Sequence, residues 1–340
     1  MTGTNVPPPD KVIKYGGSST NSALFLYGDP SSSKMALLCA GFADDHTVFQ
    51  PFAKALSEQG VFCGVMCLPG YDDRDDAPWT SHNPDGYTFD EMVQCIREAA
   101  KLLRENSTHE TAEFTAIFHD WAIPVANIWC QRLEEEANDA AAPDPIKPDK
   151  LVLFDVLMKP SPKATNIPTE NLKKPTIREF LAKTIYFYIM ALGFLVQRYV
   201  SRKLAPVVTI PTFILVAVFG LLPTYEFDLK SIEPLYGEKK PGIQRILYMA
   251  YPYCNFFRHN VKLFAHHLDW KAMPILYLYG TKKPTMFHDQ DILKMLQNEE
   301  AEGSSLTRVV AVEEAGHYLY VQKQDECLQH VLGYMRAEKK

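Results

Sequence analysis

The sequence predicts an α/β fold: a mostly parallel sheet with helices on both faces and a helical cap inserted into it. Three observations carry this expectation. Short apolar runs of strand length alternate with helical apolar spacings through residues 21–158. The alternation lapses between residues 159 and 271, where helical segments follow one another without strands. It resumes over residues 272–340, so the two core segments flank an insertion.

Taken in order, residues 1–20 are Pro-rich at their start and read as a flexible terminus without the basic and apolar regions of a signal peptide. Ser22–Tyr27 and Met35–Ala40 read as strands parted by the turn-rich Gly28–Ser33. Val48, Phe49, Phe52, Ala53 and Leu56 recur at helical spacing, and Gly60 closes that helix. Val61–Leu68 is a continuous apolar run, as a strand buried on both faces requires. Helix Phe89–Arg104, strand Phe114–Phe118, helix Ala122–Glu136 and strand Lys150–Phe154 follow. Beyond the insertion come strand Ile275–Tyr279, helix Asp289–Gln297, strand Thr307–Val312 and helix Asp325–Arg336.

Composition narrows the function classes. A net charge of −6 with no basic tract argues against nucleic acid as a partner. The seven cysteines show no zinc-like pairing, and Cys39, Cys63 and Cys67 lie in apolar runs. They read as free buried thiols, and an intracellular, cytoplasmic protein with no metal site is the expectation.

Three segments could carry chemistry. In Ala116–Ala122 a strand passes through a sharp turn into a helix, which raises Asp120 at the mouth of the sheet and at a helix N-terminus. A carboxylate there can attack carbon and form an ester, although Asp is also a common helix cap. In Glu313–Tyr320, Gly316 precedes His317 on a loop between the last strand and the last helix, the place for a late general base. Ala40–Ala43 follows a strand, and the N–H of Phe42 together with that of Trp121 would form an oxyanion hole.

With these motifs in order, the chain resembles the α/β-hydrolases, and within them the epoxide hydrolase and haloalkane dehalogenase branch. His119-Asp120-Trp121 is similar to the H-D-W nucleophile motif, Ala40-Gly-Phe42 to the oxyanion loop, and Ala315–Tyr320 to the histidine loop. The resemblance spans roughly residues 20 to 338. It implies that Asp120 is the nucleophile and His317 the base, with no cofactor and with water as co-reactant. Ala40 and Ala43 depart from the oxyanion pattern, and Phe118 and Ile123 stand where the branch has small residues, which implies a remodelled elbow. No carboxylate occupies the usual acid position near Lys282 and Lys283. Asp155 after strand Leu151–Phe154 is the expected third member, with Asp289 as runner-up.

Relatives protonate the opening epoxide with cap tyrosines. Asn255-Phe-Phe-Arg258 resembles their N-W-Y-R motif, but Phe257 stands at the tyrosine position. The candidate acids are therefore Tyr251 and Tyr253, ahead of Tyr186. Thr184–Gln197 and Leu204–Tyr225 carry no charge. Such runs line a tunnel for a lipophilic substrate, cross a bilayer as a hairpin, or make peripheral membrane contact through the cap. The readings weighed are an epoxide hydrolase-like enzyme, a haloalkane dehalogenase, and a non-catalytic lipid-binding relative.

Overall fold

The computed structural model describes residues 8–137, 146–157, 177–218, 226–236, 241–258, 273–282, 290–302 and 306–337. Among them eight strands form one sheet in the order β1-β2-β4-β3-β5-β6-β7-β8. These are β1 (Lys11–Tyr15), β2 (Ser22–Tyr27), β3 (Lys34–Cys39), β4 (Phe62–Met66), β5 (Glu113–His119), β6 (Lys150–Phe154), β7 (Ile275–Gly280) and β8 (Arg308–Val312). β1, β2 and β4 pair antiparallel, and every pairing from β4 through β8 is parallel. With its inserted helical region, this is an α/β-hydrolase fold.

The described helices are α1 (Gly17–Thr20), α2 (Gln50–Glu58), α3 (Phe89–Asn106), α4 (Ala122–Ala137), α5 (Ile177–Tyr199), α6 (Leu204–Val218), α7 (Glu226–Tyr236), α8 (Ile243–Met249), α9 (Tyr251–Arg258), α10 (Gln290–Glu302), α11 (Leu319–Gln322) and α12 (Gln324–Arg336). α3 and α4 cover one face of the sheet, in an apolar layer that also takes in Met190, Phe194, Tyr248 and Tyr251 from the inserted helices. α2 and α12 cover the other face. β4 is buried along its whole length, as its unbroken apolar run requires. α3 starts at a reciprocal cap in which the Thr88 side chain accepts from the Glu91 N–H and Glu91 accepts from the Thr88 N–H.

Residues expected in the flexible terminus include β1, which pairs with β2 as the outer strand. Its Lys-Val-Ile-Lys-Tyr alternation is too short and polar to stand out, because an edge strand buries little. The helix expected from Asp289 begins at Gln290 among the described residues and runs to Glu302.

The inserted helices are tied to the loops after β3 and β4. Arg245 of α8 pairs with Asp45 at 2.8 Å and donates to the Tyr71 carbonyl at 2.7 Å, with both charged groups buried. Tyr248 donates to the Asn83 carbonyl at 2.9 Å and Tyr251 to that of Pro69 at 2.8 Å. Tyr71 returns a bond to the Met249 carbonyl at 2.5 Å.

No described helix is long and apolar enough to cross a membrane. At 15 residues α6 spans about 22 Å, short of the roughly 30 Å hydrocarbon layer, and α5 packs against α6, α8 and α9. Among the described residues α5 and α6 do not supply the pair of crossing helices that a hairpin needs, and residues 219–225 of the second charge-free stretch lie outside them. All seven cysteines are buried and unbridged.

Candidate active site

The parallel strands β5 and β6 end in matching turns. Asp120 after β5 has φ 52° and Asp155 after β6 has φ 72°, both in the left-handed region that Asp enters more readily than most residues. Each turn sets a carboxylate just beyond a strand's carboxyl end, where the clefts of open α/β sheets lie. The large neighbours at the elbow do not abolish the turn. Phe118 is buried with its ring 6.3 Å from Trp129, and Ile123 is buried with its N–H bonded to the Asp120 carbonyl at 2.9 Å.

The tight approach falls instead on the facing loop. A Cβ on Gly41 would lie 2.2 Å from the Trp121 nitrogen and 2.6 Å from Asp120 Oδ1, so only glycine lets the two loops meet. That contact aims the Phe42 N–H at Asp120 Oδ1, at 2.8 Å. The Trp121 N–H also bonds the Asp120 carboxyl. Burial raises the Asp120 pKa above the usual carboxylate range, while His317 and these two N–H groups oppose that shift.

A second glycine admits the histidine. A Cβ on Gly280, the last residue of β7, would lie 2.3 Å from the carbonyl oxygens of both Ala315 and Gly316. His317 therefore crosses the strand ends with Nε2 at 3.6 Å from Asp120 Oδ2. Its Nδ1 hydrogen-bonds Oδ2 of the fully buried Asp155. Asp289, the runner-up acid, lies outside the described residues.

Two buried groups near His317 had no role in the sequence reading. His119 Nε2 meets the His317 carbonyl at 3.1 Å. A carbonyl only accepts, so His119 carries its proton there and Nδ1 faces the Tyr320 hydroxyl at 3.3 Å. Asp44 accepts from Tyr236 at 3.0 Å and from Tyr318 at 2.9 Å, and burial pushes its pKa up to about 7 against those bonds. A lone Asp after an oxyanion loop is no signal by itself. Its two partners lie far off in the chain.

His119, Asp155 and His317 also offer ligand atoms within 4.8 Å of one another, the donor set of a metal site. Those donors are directed at each other, at Tyr320 and at a backbone carbonyl, which suits an acid–base relay better.

The cap tyrosines separate by helix phase. Tyr253 of α9 and Tyr186 of α5 meet hydroxyl to hydroxyl at 3.1 Å, and the Asp120 charge acts on both. Burial is the main cause that pushes both phenols up, so each keeps its proton at neutral pH. The Tyr253 ring stands 4.8 Å from that of Trp121, whose side chain hydrogen-bonds it. Tyr251 points elsewhere: it packs on Gly86 and spends its proton on the Pro69 carbonyl. Two residues on a helix differ by about 200° of rotation, so Tyr251 and Tyr253 cannot share a face. Phe257 stacks on Tyr188 at 4.5 Å, one turn beyond Tyr253.

Solved structures share this architecture. A laboratory-evolved variant of a potato epoxide hydrolase is similar over 96% of this chain and 99% of its own, with 16% identity and a TM-score of 0.54. An epoxide hydrolase of Vigna radiata covers 96% and 97% at 14% identity and 0.55. MenH of S. aureus covers 92% and 97% at 13% identity and 0.52. At such identities the likeness is one of fold. No protein-family model and no curated protein matches the chain.

Proposed function

We propose that this protein is an epoxide hydrolase-like enzyme that opens a lipophilic epoxide through an ester on Asp120. The observation that carries the reading is the Asp120 carboxylate itself. It is held by the N–H groups of Phe42 and Trp121 and flanked by His317, and its charge acts on the hydroxyl-paired Tyr186 and Tyr253.

In the first step Asp120 Oδ2 attacks a ring carbon and the carbon–oxygen bond of the epoxide breaks. The departing alkoxide takes a proton from the Tyr186–Tyr253 pair, and the alkyl ester remains on Asp120. In the second step His317 Nε2 removes a proton from water, and the hydroxide adds to the ester carbon. The resulting oxyanion at Oδ1 lies at the Phe42 and Trp121 N–H groups. Asp155 stabilises the imidazolium formed on His317. On collapse the departing alkoxide takes the proton of the new carboxyl group, which frees the diol and restores the carboxylate, and the imidazolium proton of His317 returns to the tyrosine pair. No cofactor enters.

The dehalogenase reading would need the Trp121 indole N–H for a halide, and that side chain is engaged by Tyr253. The non-catalytic reading gives no reason for the Asp155–His317–Asp120 series at the sheet edge. A single turnover with a styrene-type epoxide in heavy-oxygen water tests the proposal. It should place label in Asp120, and turnover that leaves Asp120 unlabelled would overturn it.

A further inference from the structure

We infer that the outer face of the helices α5, α6 and α9 is a docking surface for an anionic lipid bilayer, which the protein meets from one side without crossing. Among the described residues eleven large apolar side chains are exposed, and all but Val12 and Ile243 lie on these helices or on the α5–α6 turn. Their phase is regular. On α5, Tyr188 and Leu192 point out while Ile189, Met190 and Phe194 are buried. On α6, Val207 is 64% and Ile214 59% exposed, with Ile210 between them, whereas Ala205 and Thr209 on the opposite face are buried. The Tyr188–Phe257 stack carries the surface across to α9. Large apolar side chains exposed together on neighbouring helices call for a partner.

Charge selects which one. From Thr184 to Tyr225 the sequence carries three charges, Arg198, Arg202 and Lys203, all cationic. Arg198 is paired with Asp85, while Arg202 lies over the Trp79 ring at 5.4 Å and, like Lys203, is exposed. Arg258 of α9 donates to the Tyr199 hydroxyl at 3.0 Å on the same side. A second copy joined face to face would set this cationic rim against itself. Anionic headgroups complement it, and aromatic side chains beside the rim suit headgroup depth.

The same helices reach the candidate site. Tyr186 and Phe187 of α5 face Tyr253 and Trp121, and Tyr188 of the next position faces out. If the epoxide reading holds, on which only this last link rests, the bilayer is also the source of the lipophilic substrate.

The test is flotation of the full-length protein with vesicles of phosphatidylcholine, alone or mixed with phosphatidylserine. The protein should float with the mixed vesicles and be released by salt. Val207→Gln/Ile210→Gln/Ile214→Gln should weaken partition more than about tenfold, since each substitution removes apolar area that would leave water at the bilayer. Lys203→Glu should weaken it about fivefold or more, at roughly 1 kcal/mol per basic residue near the surface. Both variants should keep the wild-type melting temperature and the wild-type turnover of a small water-soluble epoxide. Asp120→Asn should float like the wild type, which separates this inference from the proposed chemistry. Failure to float, or equal flotation with neutral and mixed vesicles, would overturn the proposal. So would a dimer that the triple variant splits without any vesicle binding.

Discussion

His317 Nε2 stands 3.6 Å from Asp120 Oδ2, beyond hydrogen-bond length, while His317 Nδ1 is bonded to Asp155. The imidazole is thus oriented from behind, with Nε2 set off from the Asp120 carboxylate by more than a hydrogen bond. In the proposed mechanism attack needs the Asp120 carboxylate, and only hydrolysis needs the base. Asp120→Asn should abolish turnover. His317→Gln should still form the ester and accumulate it, seen as a protein mass increased by one substrate. Steady turnover by Asp120→Asn would end the mechanism.

The tyrosine pair makes a sharper claim about helix phase. Tyr186→Phe and Tyr253→Phe should each lower kcat for epoxide opening by about 10²-fold, the lower range for a positioned acid. Tyr251→Phe removes only a bond to the Pro69 carbonyl and should leave kcat within a few-fold. Steady-state kinetics on one epoxide decide between these, and a Tyr251→Phe loss as large as that of Tyr253→Phe would contradict the assignment.

Gly41 can be tested without touching a reacting group. An added methyl would meet the Trp121 nitrogen at 2.2 Å, between backbones that cannot yield easily. Gly41→Ala should destabilise the protein by about 1–3 kcal/mol in urea unfolding and reduce turnover together. Unchanged stability and activity would mean that the oxyanion loop does not approach the elbow this closely.

Asp44 sets an expectation for pH. Its folded-state pKa is raised to about 7, above that of an unfolded carboxylate near 3.8. The folded state therefore binds this proton more tightly. The resulting stability is present in full below about pH 4 and is lost as pH rises toward 7. Asp44→Asn, which mimics the protonated form, should remove that loss. Relative to wild type, its urea midpoint should rise between pH 4.5 and pH 7.5, and a constant difference across that window would refute the shift.

Acid should silence the enzyme through a different carboxyl. Burial holds the Asp120 pKa above the usual carboxylate range, and in the proposed mechanism only the ionised form attacks. The acidic limb of kcat/KM should therefore lie above the range of a free aspartate. A limb at or below that range would assign the nucleophile elsewhere.

The sequence by itself determined seven of the eight strands, the interruption of the sheet and the places of Asp120 and His317, and it offered Asp155 after β6 with Asp289 as the alternative acid. Asp120, Asp155 and His317 each lie on or beside the loop that directly follows an apolar strand, so chain order alone brings them to one edge of a parallel sheet. Local pattern was sufficient because strand burial and turn chemistry are encoded within a few residues. Tertiary structure decided the rest. It turned Tyr253 rather than Tyr251 toward Trp121 through the rotation of α9, and it brought Tyr186 to that tyrosine from 67 residues away. It joined Asp44 to Tyr236 and Tyr318 across separations of 192 and 274 residues, and so made a cluster that no window of sequence contains. It also turned part of each charge-free stretch outward. Hydropathy counts apolar side chains, but which of them lose water depends on the neighbours that the rest of the chain supplies.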